Sequence, residues 1–180
     1  MKKILVFGGY GFLGYYLVNE LFKRDYEVTV ADIEEKEKFD KHITYIRCDI
    51  NCKEDVESVF KNKQFDAVYN LAGFANLDKA VKYPLETIQL NVIGYMYILE
   101  QCVKNGIYRF VYASSAYALS EKGSFYGISK QLSEKLTEEY HNRFNLKYTI
   151  IRYGSVYGDR DYHNNYIYNL LHYAIKYGAQ

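Results

Sequence analysis

The sequence predicts an α/β fold in which helices cover both faces of a doubly wound parallel sheet. Six apolar, strand-like segments alternate with amphipathic, helix-like segments along the 180 residues. This alternation is typical of parallel sheets with right-handed crossovers. The first apolar segment, residues 4–7, ends in closely spaced glycines that precede a helical pattern. We expect one domain over residues 1–180, which is long enough to bury a sizeable core.

Hydrophobic periodicity gives the expected elements in order. The first strand is followed by a helix that carries Leu13, Leu17, Val18 and Leu21 at helical spacing. Further strands are expected over residues 27–31, 43–48, 65–73, 108–113 and 147–151, and further helices from about residue 53 and over 85–104, 126–144 and 164–177. Pro84 suits the first turn of a helix, and Gly106 suits the position after its end. Residues 34–41 predict a solvated loop or short helix, and residues 152–161 a loop rich in glycine and tyrosine.

The glycines at positions 8, 11 and 14 form the turn between the first strand and the first helix. Gly8 lets the chain leave the strand in a tight turn, Gly11 leaves room for a pyrophosphate, and Gly14 lets the helix lie close to the strand. The helix N-terminus offers free N–H groups and a partial positive charge to phosphates. The pattern predicts a Rossmann-type dinucleotide-binding unit; the alternative is a glycine-rich turn that binds nothing.

Acidic residues follow the second and third strands, at the sheet edge where a dinucleotide would lie. Asp32 ends the second strand, and its carboxylate would accept hydrogen bonds from the adenosine ribose. The same carboxylate would repel a 2′-phosphate, which favours NAD over NADP. Asp49 and Ile50 follow the third strand and could hydrogen-bond to adenine and pack on it. Asp49 could equally cap the helix that begins near Lys53.

Tyr126 and Lys130 are four residues apart and would share one face of a helix. A neighbouring ammonium should lower the pKa of the Tyr126 phenol, which could then act as a general base towards a substrate hydroxyl. Because the chain holds 22 tyrosines, the spacing alone also fits a simple surface pair. Ser115 ends the preceding strand and would sit beside Tyr126. Together the three side chains predict a hydride-transfer site in which Ser115 orients the substrate oxygen and Lys130 holds the nicotinamide ribose.

These motifs, in this order, resemble the extended short-chain dehydrogenase/reductases of the NAD-dependent epimerase/dehydratase family, most of which act on nucleotide sugars. The matching segments are GGYGFLG at 8–14, Asp32, Asp49 with Ile50, NLAG at 70–73, NVIG at 91–94, Ser114 with Ser115, YGISK at 126–130 and RYGSVYG at 152–158. The resemblance implies NAD-contacting residues as follows: Gly8, Gly11, Phe12 and Leu13 at the pyrophosphate, Asp32 at the ribose, Asp49 and Ile50 at adenine, Leu71 and Ala72 near the ribose, and Tyr153 to Ser155 near the nicotinamide.

The resemblance also implies a function and an assembly. We expect an NAD-dependent epimerase or dehydrogenase acting on a nucleotide sugar, and a homodimer formed through the helices around 85–104 and 126–144. A dehydratase would need an acid/base pair after Ser115, where Ala116 and Tyr117 stand instead of the usual Asp-Glu. The alternatives are a non-catalytic NAD-binding module, a truncated subunit that needs a partner for substrate binding, and a small-substrate dehydrogenase. Asn91 matches a family position but could equally be a helix-packing residue.

Two segments depart from the family pattern. Only residues 116–125 separate Ser115 from Tyr126, where the family usually has a longer segment with a proline. The family also continues into a small C-terminal domain that grips the nucleotide, whereas this sequence ends at residue 180. We therefore expect the C-terminal substrate domain to be absent or truncated in this chain.

Bulk composition excludes several other classes of protein. A formal net charge of +1 gives no electrostatic case for binding nucleic acid, and no apolar run approaches the ~20 residues of a membrane span. A strand that begins within three residues of Met1 argues against a signal peptide. Three cysteines without zinc-site spacing predict no metal site and reduced thiols in a cytoplasmic protein.

Overall fold

Six parallel strands form one sheet in the computed structural model, which describes residues 1–33, 39–158 and 166–178. The strands are β1 Lys3–Phe7, β2 Glu27–Asp32, β3 Thr44–Arg47, β4 Ala67–Asn70, β5 Arg109–Ser115 and β6 Tyr148–Tyr153. Their order in the sheet is β3-β2-β1-β4-β5-β6, and every neighbouring pair is parallel. The predicted doubly wound sheet is confirmed. The strand order reverses between β1 and β4, which opens a crevice at the carboxyl ends of these two strands.

The described helices fall between the strands, as the alternating pattern predicts. They are α1 Phe12–Lys23, α2 Lys53–Phe60, α3 Leu77–Lys82, α4 Pro84–Ile88, α5 Tyr95–Lys104, α6 Ser124–Phe144 and α7 Tyr166–Tyr177. A π-helical turn, Gln89–Gly94, joins α4 to α5, so the helical run is continuous from Pro84 to Lys104. Pro84 lies in the first turn of this run, and Gly106 follows its end with a φ of +62°.

The two faces of the sheet pack against different helices because side chains alternate along each strand. Ile4 and Val6 of β1 face α1, which contributes Val18 and Leu21 to that side of the core. The intervening side chains of β1 belong to a second buried cluster that includes residues of α2, α5 and α6. With both faces covered, the carboxyl edge of the sheet is where polar side chains from several strands can meet.

A few element boundaries differ from the sequence predictions. Strand β6 extends through Arg152 and Tyr153, which were expected in the following loop. Helix α3 and two 3-10 turns, Ala116–Leu119 and Glu121–Gly123, were not predicted because such short segments show no clear periodicity. Within the charged segment 34–41, residues 34–38 lie outside the described residues, as do residues 159–165, where the predicted loop ends and the predicted last helix begins.

All three cysteines lie within the described residues. Cys48, Cys52 and Cys102 are all free thiols. The described residues contain no group of three or more His, Cys, Asp or Glu side chains arranged to hold a metal ion. None of the helices in the described part of the chain has the length and apolar character needed to cross a membrane.

Candidate active site

The turn between β1 and α1 depends on glycine at two positions. Gly8 has a φ of +77°, and a Cβ placed on it would lie 2.5 Å from the backbone nitrogen of Ala72. A Cβ on Gly14 would lie 2.0 Å from the Gly8 carbonyl oxygen. Around Gly11 the space is more open, since only the Gly8 carbonyl oxygen, at 3.2 Å, would come within 4 Å of its Cβ. Gly11 is also the N-cap of α1 and supplies no capping side chain.

Asp32 lies at the end of β2, next to this glycine turn. Its Oδ2 accepts a hydrogen bond of 2.9 Å from the backbone N–H of Tyr10, the residue between Gly9 and Gly11. The carboxylate is therefore held at the carboxyl edge of the sheet, one strand away from the turn. This is the location that the sequence predicts for a residue that binds the adenosine ribose.

Asp49 does not cap α2, so one of the two sequence interpretations of this residue is wrong. The N-cap of α2 is Cys52, which makes no capping side-chain hydrogen bond. Asp49 instead accepts a hydrogen bond from the N–H of Asn51 at 2.9 Å, because the chain turns immediately after β3 and before the helix begins. Ile50 is buried in the core on the α2 and α5 side of the sheet.

The end of β4 brings a buried amide to the crevice. Leu71 and Ala72 follow the strand and are half-buried. The Asn70 side chain is almost fully buried, and its Oδ1 accepts a hydrogen bond from the N–H of Ala72 at 3.0 Å. The Nδ2 group of Asn70 has no hydrogen-bond partner among the described residues. A buried amide donor without a partner is unusual in a folded protein.

Ser115, Tyr126 and Lys130 meet at the carboxyl end of β5, and all three are buried. Lys130 Nζ donates a 2.9 Å hydrogen bond to the carbonyl of Ala113 and lies 5.7 Å from the centre of the Tyr126 ring. Ser115 Oγ accepts a hydrogen bond from the N–H of Tyr117 at 3.2 Å. The structure thus brings together the three residues that the sequence predicts for proton transfer.

The pKa values of two of these groups are set mainly by burial. Burial raises the pKa of Tyr126, a hydrogen bond with Ser115 lowers it in part, and the net pKa lies above the ordinary value. The pKa of Tyr126 is therefore raised and not lowered as the sequence predicts, because burial is the largest influence on it and Lys130 Nζ donates its hydrogen bond to the Ala113 carbonyl. Burial also lowers the pKa of Lys130 to about 8, although the Glu134 carboxylate acts in the opposite direction.

The segment after β6 crosses from the edge of the sheet back to α1. Tyr153, the last residue of β6, is half-buried, and Ser155 is exposed. At the far end of this segment, a Cβ on Gly158 would lie 3.4 Å from the Phe12 ring, in the first turn of α1. Phe12 and Leu13, both half-buried, therefore lie between the glycine turn and this crossing segment.

The structure adds polar residues that the sequence analysis did not single out as site residues. Glu134 on α6 accepts hydrogen bonds from Ser114 Oγ at 2.5 Å and from Arg152 Nη2 at 2.7 Å. Glu134 lies four residues after Lys130, so the same helical spacing that paired Tyr126 with Lys130 could have identified it. Nothing in the sequence indicates its contacts with Ser114 and Arg152, which come from two different strands.

Asn91 connects the segment after β4 to α6. The sequence left open whether it is a family motif residue or a helix-packing residue. Its side chain bonds the Phe74 backbone at both N–H and carbonyl, at 2.6 and 3.0 Å, and donates to Ser129 Oγ at 2.9 Å. Asn91 lies in the π-helical turn, and such turns are frequent at functional sites. It therefore supports the shape of the site from outside the reacting groups.

Comparison with known families explains why these features occur together. The model of the NAD dependent epimerase/dehydratase family matches residues 4–178. The chain belongs to the NAD dependent epimerase/dehydratase family. NAD is the cofactor of this family, and the open backbone at Gly11, the carboxylate of Asp32 and the unpartnered amide of Asn70 fit a dinucleotide at the crevice.

Members of the family with known structures share this architecture. UDP-glucose 4-epimerase from Thermus thermophilus, solved in complex with NAD, is 29% identical with a TM-score of 0.86, and the match covers 96% of this chain and 61% of the relative. The Thermotoga maritima enzyme, solved with UDP-glucose, is 28% identical with a TM-score of 0.86, covering 96% and 62%. UDP-glucose 4-epimerase of Bacillus subtilis is 28% identical over 86% of this chain and 53% of its own length. The chain thus spans about half to three-fifths of the length of these relatives.

Proposed function

We propose that this chain carries the NAD site and the hydride-transfer site of a nucleotide-sugar epimerase or dehydrogenase. The observation that carries the proposal is the meeting of Ser115, Tyr126 and Lys130 at the carboxyl edge of the sheet. The family match supports it, and relatives named UDP-glucose 4-epimerase make UDP-hexoses the first substrates to test. A dehydratase is less favoured because Ala116 and Tyr117 supply no acidic pair after Ser115.

The cofactor would lie across the carboxyl ends of the strands. A bound NAD would supply the acceptor, and later the donor, for the hydride of the sugar carbon. The residues that we propose to hold it are Gly8, Gly11, Phe12, Leu13 and Gly14 at the pyrophosphate, Asp32 at the adenosine ribose, Asp49 and Ile50 at adenine, Leu71, Ala72 and Lys130 at the ribose nearer the nicotinamide, and Tyr153 and Ser155 at the nicotinamide.

The protein's own side chains would move the proton. Tyr126, as the phenolate, takes the proton from a sugar hydroxyl as its carbon becomes a ketone. Ser115 donates a hydrogen bond to the same oxygen and fixes its position. Lys130 would supply a positive charge near the Tyr126 oxygen, which favours the phenolate. For epimerisation, the keto sugar rotates in the site so that its opposite face receives the hydride, and Tyr126 returns the proton to the same oxygen.

The test is a calorimetric titration of the 180-residue chain with NAD, followed by UDP-, GDP-, dTDP- and CDP-sugars and by an assay of their conversion. We expect NAD to bind and one class of nucleotide sugar to be converted. Tyr126→Phe should retain NAD binding and lose turnover by roughly 10²- to 10⁴-fold, as the loss of a general base does. Turnover in Tyr126→Phe equal to that of the wild type would contradict the proposed role of Tyr126.

A second candidate is a non-catalytic NAD-binding module, or a subunit that needs a partner to bind substrate. The matched region corresponds to 53% of the Bacillus subtilis relative and 61% of the Thermus thermophilus relative, so the remaining parts of those relatives have no counterpart in the match. NAD binding without binding of any nucleotide sugar would favour this candidate. Conversion of simple alcohols, without conversion of nucleotide sugars, would instead indicate a small-substrate dehydrogenase.

We also propose a homodimer and a cytoplasmic location. The dimer would form through the helices around 85–104 and 126–144, as the family resemblance implies. Phe125, Ile128 and Leu132 support it, because they expose apolar surface at spacings of three and four residues along α6. The three free thiols support a reducing compartment.

A further inference from the structure

Glu134 is a buried carboxylate with partners on two strands. The residue is 5% exposed and lies in the middle of α6. Its Oε1 accepts a hydrogen bond from Ser114 Oγ at 2.5 Å and one from Arg152 Nε at 3.0 Å. Its Oε2 accepts from Arg152 Nη2 at 2.7 Å and from Arg152 Nε at 3.3 Å. The Arg152 guanidinium thus forms a bidentate, charge-assisted pair with the Glu134 carboxylate. Such pairs are stronger and more directional than single hydrogen bonds between neutral groups.

Each element that Glu134 joins also carries a residue of the candidate site. Ser114 of β5 directly precedes Ser115, and Arg152 of β6 directly precedes Tyr153. On α6, Lys130 lies one helical turn before Glu134 and on the same face. One carboxylate therefore connects the three segments whose relative position defines the site.

We propose that Glu134 is a positioning residue that holds the Lys130 face of α6 against the ends of β5 and β6 and keeps Lys130 as an ammonium. This proposal rests on the proposed function for the identity of the reaction. The contacts that carry it are those of Glu134 itself. A negative charge one turn from a buried lysine favours the charged form of that lysine, and the reaction needs this charge beside Tyr126.

Among the described residues, Glu134 is the carboxylate that favours the charged form of Lys130. Tyr112 from β5 lies beneath its Nζ, 4.9 Å from the ring centre, and Tyr126 lies 5.7 Å away. Tyr117 packs on the ring of Tyr126, and Tyr95 from α5 packs on Tyr112. Without bound cofactor, burial raises the pKa values of Tyr95, Tyr112 and Tyr126 and favours their neutral forms, and Arg152 is a cation.

Glu134 is itself ionised near neutral pH. Burial raises the pKa of its carboxyl group, but the hydrogen bonds from Arg152 and Ser114 outweigh burial and bring the pKa below its ordinary value. In turn, the pKa of Lys130 at about 8 reflects burial opposed by Glu134. Removing the Glu134 charge should therefore lower the pKa of Lys130 further, and removing Arg152, whose hydrogen bonds hold the pKa of Glu134 down, should act in the same direction.

The experiment measures the titration of Lys130 by NMR of protein labelled with ¹³C-lysine, with the Lys130 signal assigned by its loss in Lys130→Arg. We expect Glu134→Gln to lower the pKa of Lys130 by about one pH unit. Arg152→Gln should lower it as well, because this variant removes the hydrogen bonds that hold the pKa of Glu134 down. Arg152 is partly exposed on an edge strand, so this variant should fold even if Glu134→Gln does not.

The matched control is Glu138→Gln. Glu138 lies one turn further along α6 and pairs with Lys135 at the surface, at 2.8 Å. The Glu138→Gln variant should leave the titration of Lys130 unchanged. Identical titrations of Lys130 in the wild type, Glu134→Gln and Arg152→Gln would overturn the proposal.

A second measurement separates this proposal from the proposed function. With an active wild type, the alkaline limb of the pH profile of kcat should move to lower pH in Glu134→Gln, and kcat should fall by roughly 10- to 100-fold, as for small displacements of reacting groups. An unmoved alkaline limb would count against the proposal. If the wild type converts no nucleotide sugar, the proposed function fails, and the Lys130 titration still decides the role of Glu134.

Discussion

At the residue scale, burial has more influence than charge pairing on the titratable groups of the site. Tyr126 and Lys130 are neighbours on one face of α6, yet burial pushes both pKa values towards the neutral forms, up for the phenol and down to about 8 for the amine. The same effect raises the pKa of Cys48 to about 12. Charges within the site therefore need specific support, and Glu134 is placed to give it.

Lys130→Met should change how stability depends on pH. The pKa of Lys130 in the folded protein, about 8, lies below the ordinary lysine value of 10.5. Below pH 8 the folded protein contains a buried ammonium, which is costly. Between pH 8 and pH 10.5 Lys130 is protonated in the unfolded chain but largely neutral in the folded protein. The unfolded chain therefore binds more protons in this range, and the free energy of unfolding rises with pH. Lys130→Met removes this dependence, and we expect it to be more stable than the wild type at pH 7 by about 3 kcal/mol.

Urea unfolding of both proteins between pH 7 and pH 9.5 tests this expectation. The stability difference should narrow steadily as pH rises above 8. Lys135→Met is the matched control, since Lys135 lies on the same helix with an exposed side chain and should show no such change. A difference between the wild type and Lys130→Met that stays constant over this range would contradict the assigned pKa.

Gly8→Ala and Gly106→Ala separate backbone strain from steric overlap. Both glycines have positive φ values, +77° and +62°, but a Cβ on Gly106 would meet nothing within 4 Å, whereas one on Gly8 would lie 2.5 Å from Ala72 N. Gly106→Ala should therefore cost about 1 kcal/mol of unfolding free energy, the cost of the left-handed conformation alone. Gly8→Ala should cost about 3 kcal/mol or more and weaken NAD binding, measured by urea unfolding and calorimetry. Equal costs for the two variants would be inconsistent with the close approach of Ala72.

At the scale of elements, the π-helical turn between α4 and α5 explains how α6 and the end of β4 are held together. The turn places Asn91 where its side chain reaches both Phe74 and Ser129. Ser133 Oγ on the next turn of α6 donates a hydrogen bond to the Asn91 carbonyl at 2.6 Å. The segment after β4 is thereby fixed against the helix that carries Tyr126 and Lys130.

Asn91→Ala should loosen this connection. It removes three hydrogen bonds in a largely buried setting, and leaving their partners unpaired should cost about 2–4 kcal/mol of unfolding free energy. Amide hydrogen exchange should show faster exchange at Phe74. Asn19→Ala is the control, because Asn19 makes one side-chain hydrogen bond, to Tyr15 O within α1. If exchange at Phe74 is no faster in Asn91→Ala than in Asn19→Ala, Asn91 does not hold this segment.

At the scale of the whole molecule, α6 presents two opposite faces, for which we propose different roles. Its inner face carries Tyr126, Lys130 and Glu134 against the sheet. Its outer face exposes Phe125, Ile128 and Leu132. A dimer formed on the outer face would stiffen the same helix that carries the candidate catalytic residues.

Ile128→Asp tests the proposed dimer. A charge in the middle of the apolar stripe should shift the chain from dimer to monomer, because burying an unpaired carboxylate is costly. Size-exclusion chromatography with light scattering measures the change in mass. Tyr108→Asp serves as the control, since Tyr108 is also a large side chain and is more exposed, but it lies just before β5 and away from α6. A wild type that is monomeric, or an Ile128→Asp variant that remains dimeric, would contradict an interface through α6.

The sequence alone determined the elements and most of the candidate residues. Hydrophobic periodicity is a local property, so the six strands and the long helical run from Pro84 could be read within a few residues of their observed ends. The glycine turn, Asp32, Ser115, Tyr126 and Lys130 were also identified locally, because each stands at the end of a strand or the start of a helix. Parallel strands then bring such positions to one edge.

Only the tertiary structure decided how these residues support one another. Glu134 meets Ser114 and Arg152 across separations of 20 and 18 residues, and Gly158 returns to Phe12 across the whole sheet. The sequence likewise missed the raised pKa of Tyr126, because burial depends on every element that packs around the ring. Contacts between distant segments follow from the packing of whole elements. For this reason local patterns predicted the reactive groups, and the folded chain determined their partners and their protonation.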